Sequence, residues 1–145
     1  MMITKRKFLR TGTAALAAPA LISTGAQADY YLPTRPDVGI IFIGASWCAY
    51  CKAAAPVLDR LARNSDIPVM VVSTDNQPIA PFAQFIHDPQ HPMVVNNPRV
   101  PRTALYNATT DQITGMIEGY RGPANYARNL QRLIQIAMRG EVVRG

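Results

Sequence analysis

Gly39-Ile-Ile-Phe-Ile-Gly-Ala-Ser46 carries no charge, and no polar side chain before its last residue. A run this apolar and β-branched predicts a strand buried on both faces, as in a parallel sheet covered by helices. The period then switches. Ala54, Val57, Leu58 and Leu61 recur at i, i+3, i+4 and i+7, which places them on one face of a helix over residues 49–64. Pro56 lies inside that helix and is expected to kink it. Residues 67–74, IPVMVVST, repeat the buried-strand pattern. Two such strands around one helix predict a right-handed βαβ unit with parallel strands.

The rest of the chain completes a sheet. Residues 78–88, PIAPFAQFIHD, are expected to form a short helix with Phe82, Phe85 and Ile86 on one face. Residues 89–101 read as a proline-rich connection. Residues 102–108 and 113–120 read as two strands of a hairpin, although the intervening TTDQ lacks the favoured Asn-Gly turn. Pro123 can open a last helix at its tolerated first position. Tyr126, Leu130, Leu133, Ile134 and Ala137 line one stripe of it, and Gly140 ends it. This order predicts an α/β domain: a four-stranded mixed sheet flanked by helices, two on one face and one on the other.

The first residues read as an export signal. Lys5, Arg6, Lys7 and Arg10 form a cationic head, residues 11–25 are small and apolar, and Ala26-Gln-Ala28 fits a small-x-small cleavage site. The apolar stretch is too short for an ordinary membrane span. Residues 4–10 resemble a twin-arginine signal but have Lys5 where its first arginine should stand, so the export route stays open. The expected organisation is a signal over residues 1–28 and one domain over residues 29–145, in the periplasm and monomeric. Removing the four signal cations, which no acid accompanies, lowers the formal charge from +6 to +2. That surface has no basic stripe for nucleic acid.

The chain has two cysteines, both in Trp47-Cys-Ala-Tyr-Cys-Lys52. A disulfide between Cys48 and Cys51 would close too small a loop to staple the fold, so chemistry explains the pair better. Cys48 falls where the strand gives way to the helix. Unpaired N–H groups and the helix dipole favour an anion there, and Lys52 adds a neighbouring cation that would tune the thiol. Cys48 is therefore expected as the nucleophile. Cys51, one turn further in and more buried, would resolve the mixed disulfide. Trp47 and Tyr50 are candidate substrate contacts. Other readings stay open. A structural zinc would need His87 and His91 as further ligands, with Pro89 between them. Haem attachment would need a histidine where Lys52 stands. An inert pair, or a soft site for Cu(I), would keep both thiols without turnover.

The segment FIGASWCAYCKAAAPVL resembles the active-site segment of the thioredoxin superfamily in Trp47, both cysteines, Lys52 and Pro56. A second motif, Val100-Pro101-Arg102-Thr103, stands where that family carries a cis-proline beside the active disulfide. The resemblance spans about residues 39–139. It implies a minimal thioredoxin-like fold, since the first strand and helix of full thioredoxins have no room before Gly39. It also implies a redox-active Cys48–Cys51 disulfide with no other cofactor and no metal. A substrate strand would pair with the backbone of Val100 beside Pro101. The implied partners are cysteine-containing proteins and a membrane or periplasmic redox partner. One departure is chemical: the acid that helps proton transfer behind the second cysteine would fall at Phe42, which cannot do that work. Another is the missing large helical insertion of periplasmic disulfide-forming oxidoreductases, which weighs toward reduction or isomerisation. A redox-inert peptide-binding module of the same fold remains the rival.

Overall fold

The computed structural model describes residues 37–140. The export signal expected over residues 1–28 and the lead-in before Asp37 lie outside the described residues.

The described chain runs β1 (Val38–Gly44), α1 (Ala49–Asn64), β2 (Val69–Ser73), α2 (Pro92–Val95), β3 (Arg102–Asn107), β4 (Gln112–Glu118) and α3 (Pro123–Met138). The four strands form one sheet in the order β2-β1-β3-β4. β1 pairs parallel with β2, from Ile40 opposite Val69 to Gly44 opposite Ser73. It pairs antiparallel with β3, from Val38 opposite Asn107 to Ile43 opposite Arg102. β3 and β4 are antiparallel neighbours. The fold is the minimal thioredoxin-like α/β architecture that the resemblance implies.

Alternation along β1 explains why it is apolar throughout. Val38, Ile40 and Phe42 enter the larger core with Leu58 and Leu61 of α1, Leu130 and Leu133 of α3, and Leu105 of β3. Ile41 and Ile43 point the other way, into a smaller cluster with Val72 and Ala104. Successive strand residues face opposite sides, so a central strand covered twice needs apolar residues at every position. α1 and α3 lie on the first face. On the second face, Met93 and Val94 of the short α2 pack on the smaller cluster.

α1 runs through Pro56, whose ring lies on the exposed side, while Ala54, Val57, Leu58 and Leu61 are buried. Gly122 precedes α3 at φ 90° and ψ 157°, backbone that only glycine adopts cheaply, and Pro123 follows at the first helical position. The β3–β4 turn needs no Asn-Gly. The Asn107 carbonyl oxygen of the side chain accepts from the amides of Thr109 and Thr110 at 2.9 and 3.0 Å. The register shifts between Leu105 and Tyr106, where Thr114 is the extra residue of β4. Its hydroxyl donates to the Leu105 carbonyl at 3.3 Å.

One expected element is absent. Residues 78–88 are not a helix. Ile79 and Phe82 form an antiparallel bridge and Val72 and Ile86 a parallel one. Ile86 donates to the Val71 carbonyl at 2.9 Å and accepts from Ser73 at 2.8 Å. Pro81 has no N–H for a helical bond and biases Ala80 toward extended backbone. The Ala80–Pro81 peptide bond is cis. Phe82 and Phe85 still reach the larger core, but Ile86 is 42% exposed. The helix of this region forms later, where Pro92 starts α2 and the His91 ring accepts from the Met93 amide at 3.2 Å. Met116 and Met138 are both 39% exposed.

Candidate active site

The end of β1 sets the site. Gly44 is the last strand residue, and the chain turns through Ala45 to Cys48, whose amide donates to the Ala45 carbonyl at 3.2 Å. Cys48 is the N-cap of α1, with extended backbone at φ −80° and ψ 113°. Its sulfur takes the place of a capping oxygen and accepts from the Cys51 amide at 3.2 Å. Its carbonyl accepts the first helical bond from Lys52 at 3.1 Å. Cys48 thus sits where helix N–H groups converge and where an anionic sulfur gains hydrogen bonds and dipole attraction.

The two thiols are free and differ in surroundings. Cys51 is fully buried. Burial, followed by the hydrogen bond with Cys48, pushes its thiol up to about 12. Such a thiol stays protonated at neutral pH and needs an acceptor for its proton before it can attack. Gly44 makes room for its sulfur. A Cβ on Gly44 would stand 3.3 Å from Cys51 Sγ, 3.3 Å from Phe42 Cε1 and 2.8 Å from Ile79 Cδ1.

Trp47 precedes Cys48 and Tyr50 lies between the cysteines, and they are 71% and 64% exposed. Lys52 is exposed on the first turn of α1. Val100 and Pro101 arrive from β3. Ile43 pairs with Arg102, so Gly44 and Pro101 leave the β1–β3 ladder at the same end of the sheet. Pro101 is buried, Val100 is half-buried against the core, and the bond between them is cis. The Pro101 carbonyl accepts from Gly119 at 2.8 Å. The seven candidate catalytic, substrate-contact and tuning residues lie in two segments, 47–52 and 100–101, that the sheet brings to one end.

Three features were not legible from those segments. Asp75, just past β2, accepts from the Ser46 amide at 3.2 and 3.1 Å, from the Ser46 hydroxyl, and from the Ser73 hydroxyl at 3.0 Å. The Ser46 side-chain bond leads in holding its carboxyl below the usual range. The contact spans 29 residues, and no local pattern signals it. Arg102 is buried within β3, and its Nε donates to the Arg99 carbonyl at 3.2 Å. Thr103 and Tyr126 share a buried hydroxyl–hydroxyl bond of 2.7 Å. His87 and His91 serve the fold: the first contacts the Ser73 carbonyl at 2.9 Å and the second caps α2.

Comparison with known proteins agrees with this architecture. A protein described as a thiol:disulfide interchange protein DsbE from Chlorobium tepidum superposes with a TM-score of 0.54 at 19% identity, over 70% of this chain and 80% of that one. Fasciola hepatica thioredoxin does so with a TM-score of 0.50 at 14% identity, over 68% and 79%. At these identities the likeness is one of fold. No curated protein sequence matches the chain. Residues 31–120 match the family described as TraF, F plasmid transfer operon protein. The chain belongs to the TraF family and has a thioredoxin-like fold.

Proposed function

We propose that the protein is a periplasmic thiol–disulfide oxidoreductase that exchanges disulfides with protein substrates, with reduction or isomerisation favoured over net oxidation. The observation that carries this reading is the asymmetry of the pair. Cys48 caps α1 with its sulfur accepting the Cys51 amide, while Cys51 is sealed in the core as a thiol pushed up to about 12. The Cys48 thiolate attacks one sulfur of a substrate disulfide. The S–S bond breaks, one substrate thiolate leaves, and a mixed disulfide forms. Cys51 then gives up its proton and attacks Cys48. The second substrate sulfur leaves and is protonated. The substrate has gained two electrons and the protein holds a Cys48–Cys51 disulfide.

Trp47 and Tyr50 offer apolar surface to an extended client, and the Val100 backbone beside Pro101 would pair with it. Lys52 would add a cation near Cys48. The family's description, F plasmid transfer operon protein, makes other products of such an operon the first clients to try. A membrane or periplasmic reductant must return the electrons, because a disulfide would otherwise accumulate in an oxidising compartment. Among the described residues no helix is long and apolar enough to cross a membrane.

Reduction of insulin disulfides tests the reading directly. The wild type should catalyse it and Cys48→Ser should not. Cys51→Ser should accumulate client proteins as mixed disulfides that dithiothreitol releases. An inactive wild type that still binds extended peptides would replace this reading with that of a binding module.

A further inference from the structure

Resolution of the mixed disulfide poses a problem that the site as described does not solve. Cys51 must lose its proton while wholly enclosed. Of the groups that act on it, none is a carboxylate or a histidine; they are Cys48 and the backbone of Ala45 and Cys51. Phe42 lies against its sulfur's side of Gly44. Water cannot serve directly at a thiol with no exposure.

One polar pair lies in the same core. Phe42 of β1 stands directly opposite Thr103 of β3. Facing residues in an antiparallel pair project to the same side of the sheet. The Thr103 side chain is therefore beside Phe42, on the face that α1 and α3 cover. Its hydroxyl meets the Tyr126 hydroxyl of α3 at 2.7 Å. Both residues are 1% exposed. Cys51 and Tyr126 are members of the same core cluster, and the phenol feels the charge of Cys51. Tyr126 also lines a cleft of about 250 Å³ with Glu118, Arg121, Asn125 and Asn129. That volume holds several waters.

Two buried hydroxyls that satisfy only each other can be replaced together by apolar groups of the same shape at little cost. The other buried polar residues bond to backbone: Ser73 to Gln77, Asn107 to Ala137, Thr114 to Leu105, and Arg102 to Arg99. Tyr126 thus shares the core cluster of Cys51 and also lines the cleft.

We propose that the Thr103 and Tyr126 hydroxyls form a proton relay that carries the Cys51 proton out of the core as Cys51 attacks the mixed disulfide. The relay rests on the function proposed above and assigns its missing acceptor. The Cys51 S–H proton passes to one hydroxyl oxygen. That hydroxyl passes its own proton to the second, and the second delivers one to water in the cleft. Each hydroxyl ends neutral. The Cys51 sulfur forms the S–S bond to Cys48 as the substrate sulfur leaves with the bonding pair. No tyrosinate is required, which suits a phenol that burial pushes up to about 12. The titratable groups that face the relay are Cys51 from α1 and Tyr120 after β4, whose ring lies 5.6 Å from that of Tyr126. Glu118 and Arg121 stand in the cleft.

Reaction of the reduced full-length chain with 5,5′-dithiobis(2-nitrobenzoate) separates the steps. Attack by Cys48 releases a first equivalent of thionitrobenzoate, and attack by Cys51 releases a second. Thr103→Val and Tyr126→Phe should leave the first phase unchanged and slow the second about tenfold. Thr103→Ser, which keeps the hydroxyl, should restore the second phase. A second phase unchanged in both variants overturns the relay while leaving the oxidoreductase reading intact. So does a first phase slowed by the same factor, or a Thr103→Ser variant as slow as Thr103→Val. A wild type with no second phase overturns the reading and the relay together.

Discussion

Gly44 shows how little space the site allows. It ends β1 with an ordinary strand conformation, so its need for glycine is one of space and not of backbone freedom. A single methyl there would crowd Ile79 at 2.8 Å and both Cys51 Sγ and Phe42 Cε1 at 3.3 Å. Overpacking of this kind costs about 1–3 kcal/mol. Gly44→Ala should accordingly lower the denaturant midpoint with an unchanged slope, read by circular dichroism in guanidinium. The neighbouring thiols should also separate by reactivity. Iodoacetamide at pH 8 should label Cys48 well before Cys51, because Cys51 is enclosed and held protonated by its burial. Peptide mass mapping checks the order, and denaturation should abolish it. Equal labelling of the two in the native protein would contradict the buried position of Cys51.

At the scale of elements, tertiary bonds complete what local pattern begins. β1, β2, β3, β4, α1 and α3 were each readable from period and end signals. Their hydrophobic sets are long, and each faces one or two core surfaces. The segment 78–88 was not readable. Phe82, Phe85 and Ile86 have helical spacing, yet Pro78 and Pro81 break the amide ladder, and the backbone instead bonds to the edge of β2. The cysteine pair and the Val-Pro segment were legible because their chemistry is local in sequence. Arg102, Asp75 and the Thr103–Tyr126 pair were not, since each role depends on partners that only folding supplies. Asp75 illustrates the consequence. It ties the turn between β1 and α1 to the end of β2 through Ser46 and Ser73. Its carboxyl titrates below the ordinary value, chiefly through Ser46. The native state therefore favours the carboxylate, and that stability is present above pH 3.8 and lost as pH falls through the lower native value. Asp75→Asn should lower the melting temperature at pH 7 and flatten the loss on acidification below pH 4. Melting curves at pH 7 and across pH 2–5 test both parts.

Across the whole domain the sheet divides two unequal cores. The α1–α3 side holds the larger, with Phe42, Leu58, Leu105 and Leu130 fully buried, and it also encloses Cys51 and Tyr126. The α2 side is thinner and leaves Met70, Ile113 and Met116 about 40% exposed. Placing two weak acids inside the larger core links global stability to alkaline pH. Burial is the leading cause for both: Cys51 rises from 9.0 to about 12, and Tyr126 from 10.0 to about 12. Below pH 9 both groups are protonated in the folded and unfolded chains, so neither affects the balance. Above it the unfolded chain loses protons that the native chain keeps. The native state then binds more protons, and the free energy of unfolding falls as pH rises, first through Cys51 from about pH 9 and then through Tyr126 from about pH 10. The loss levels off only as the native groups themselves ionise near 12. Cys51→Ala and Tyr126→Phe each remove one titrating group, so each should flatten its own part of the decline. Guanidinium midpoints of the reduced protein between pH 8 and 11.5 provide the measurement. Wild-type and variant profiles that run parallel over that range would show that these two groups ionise as readily folded as unfolded.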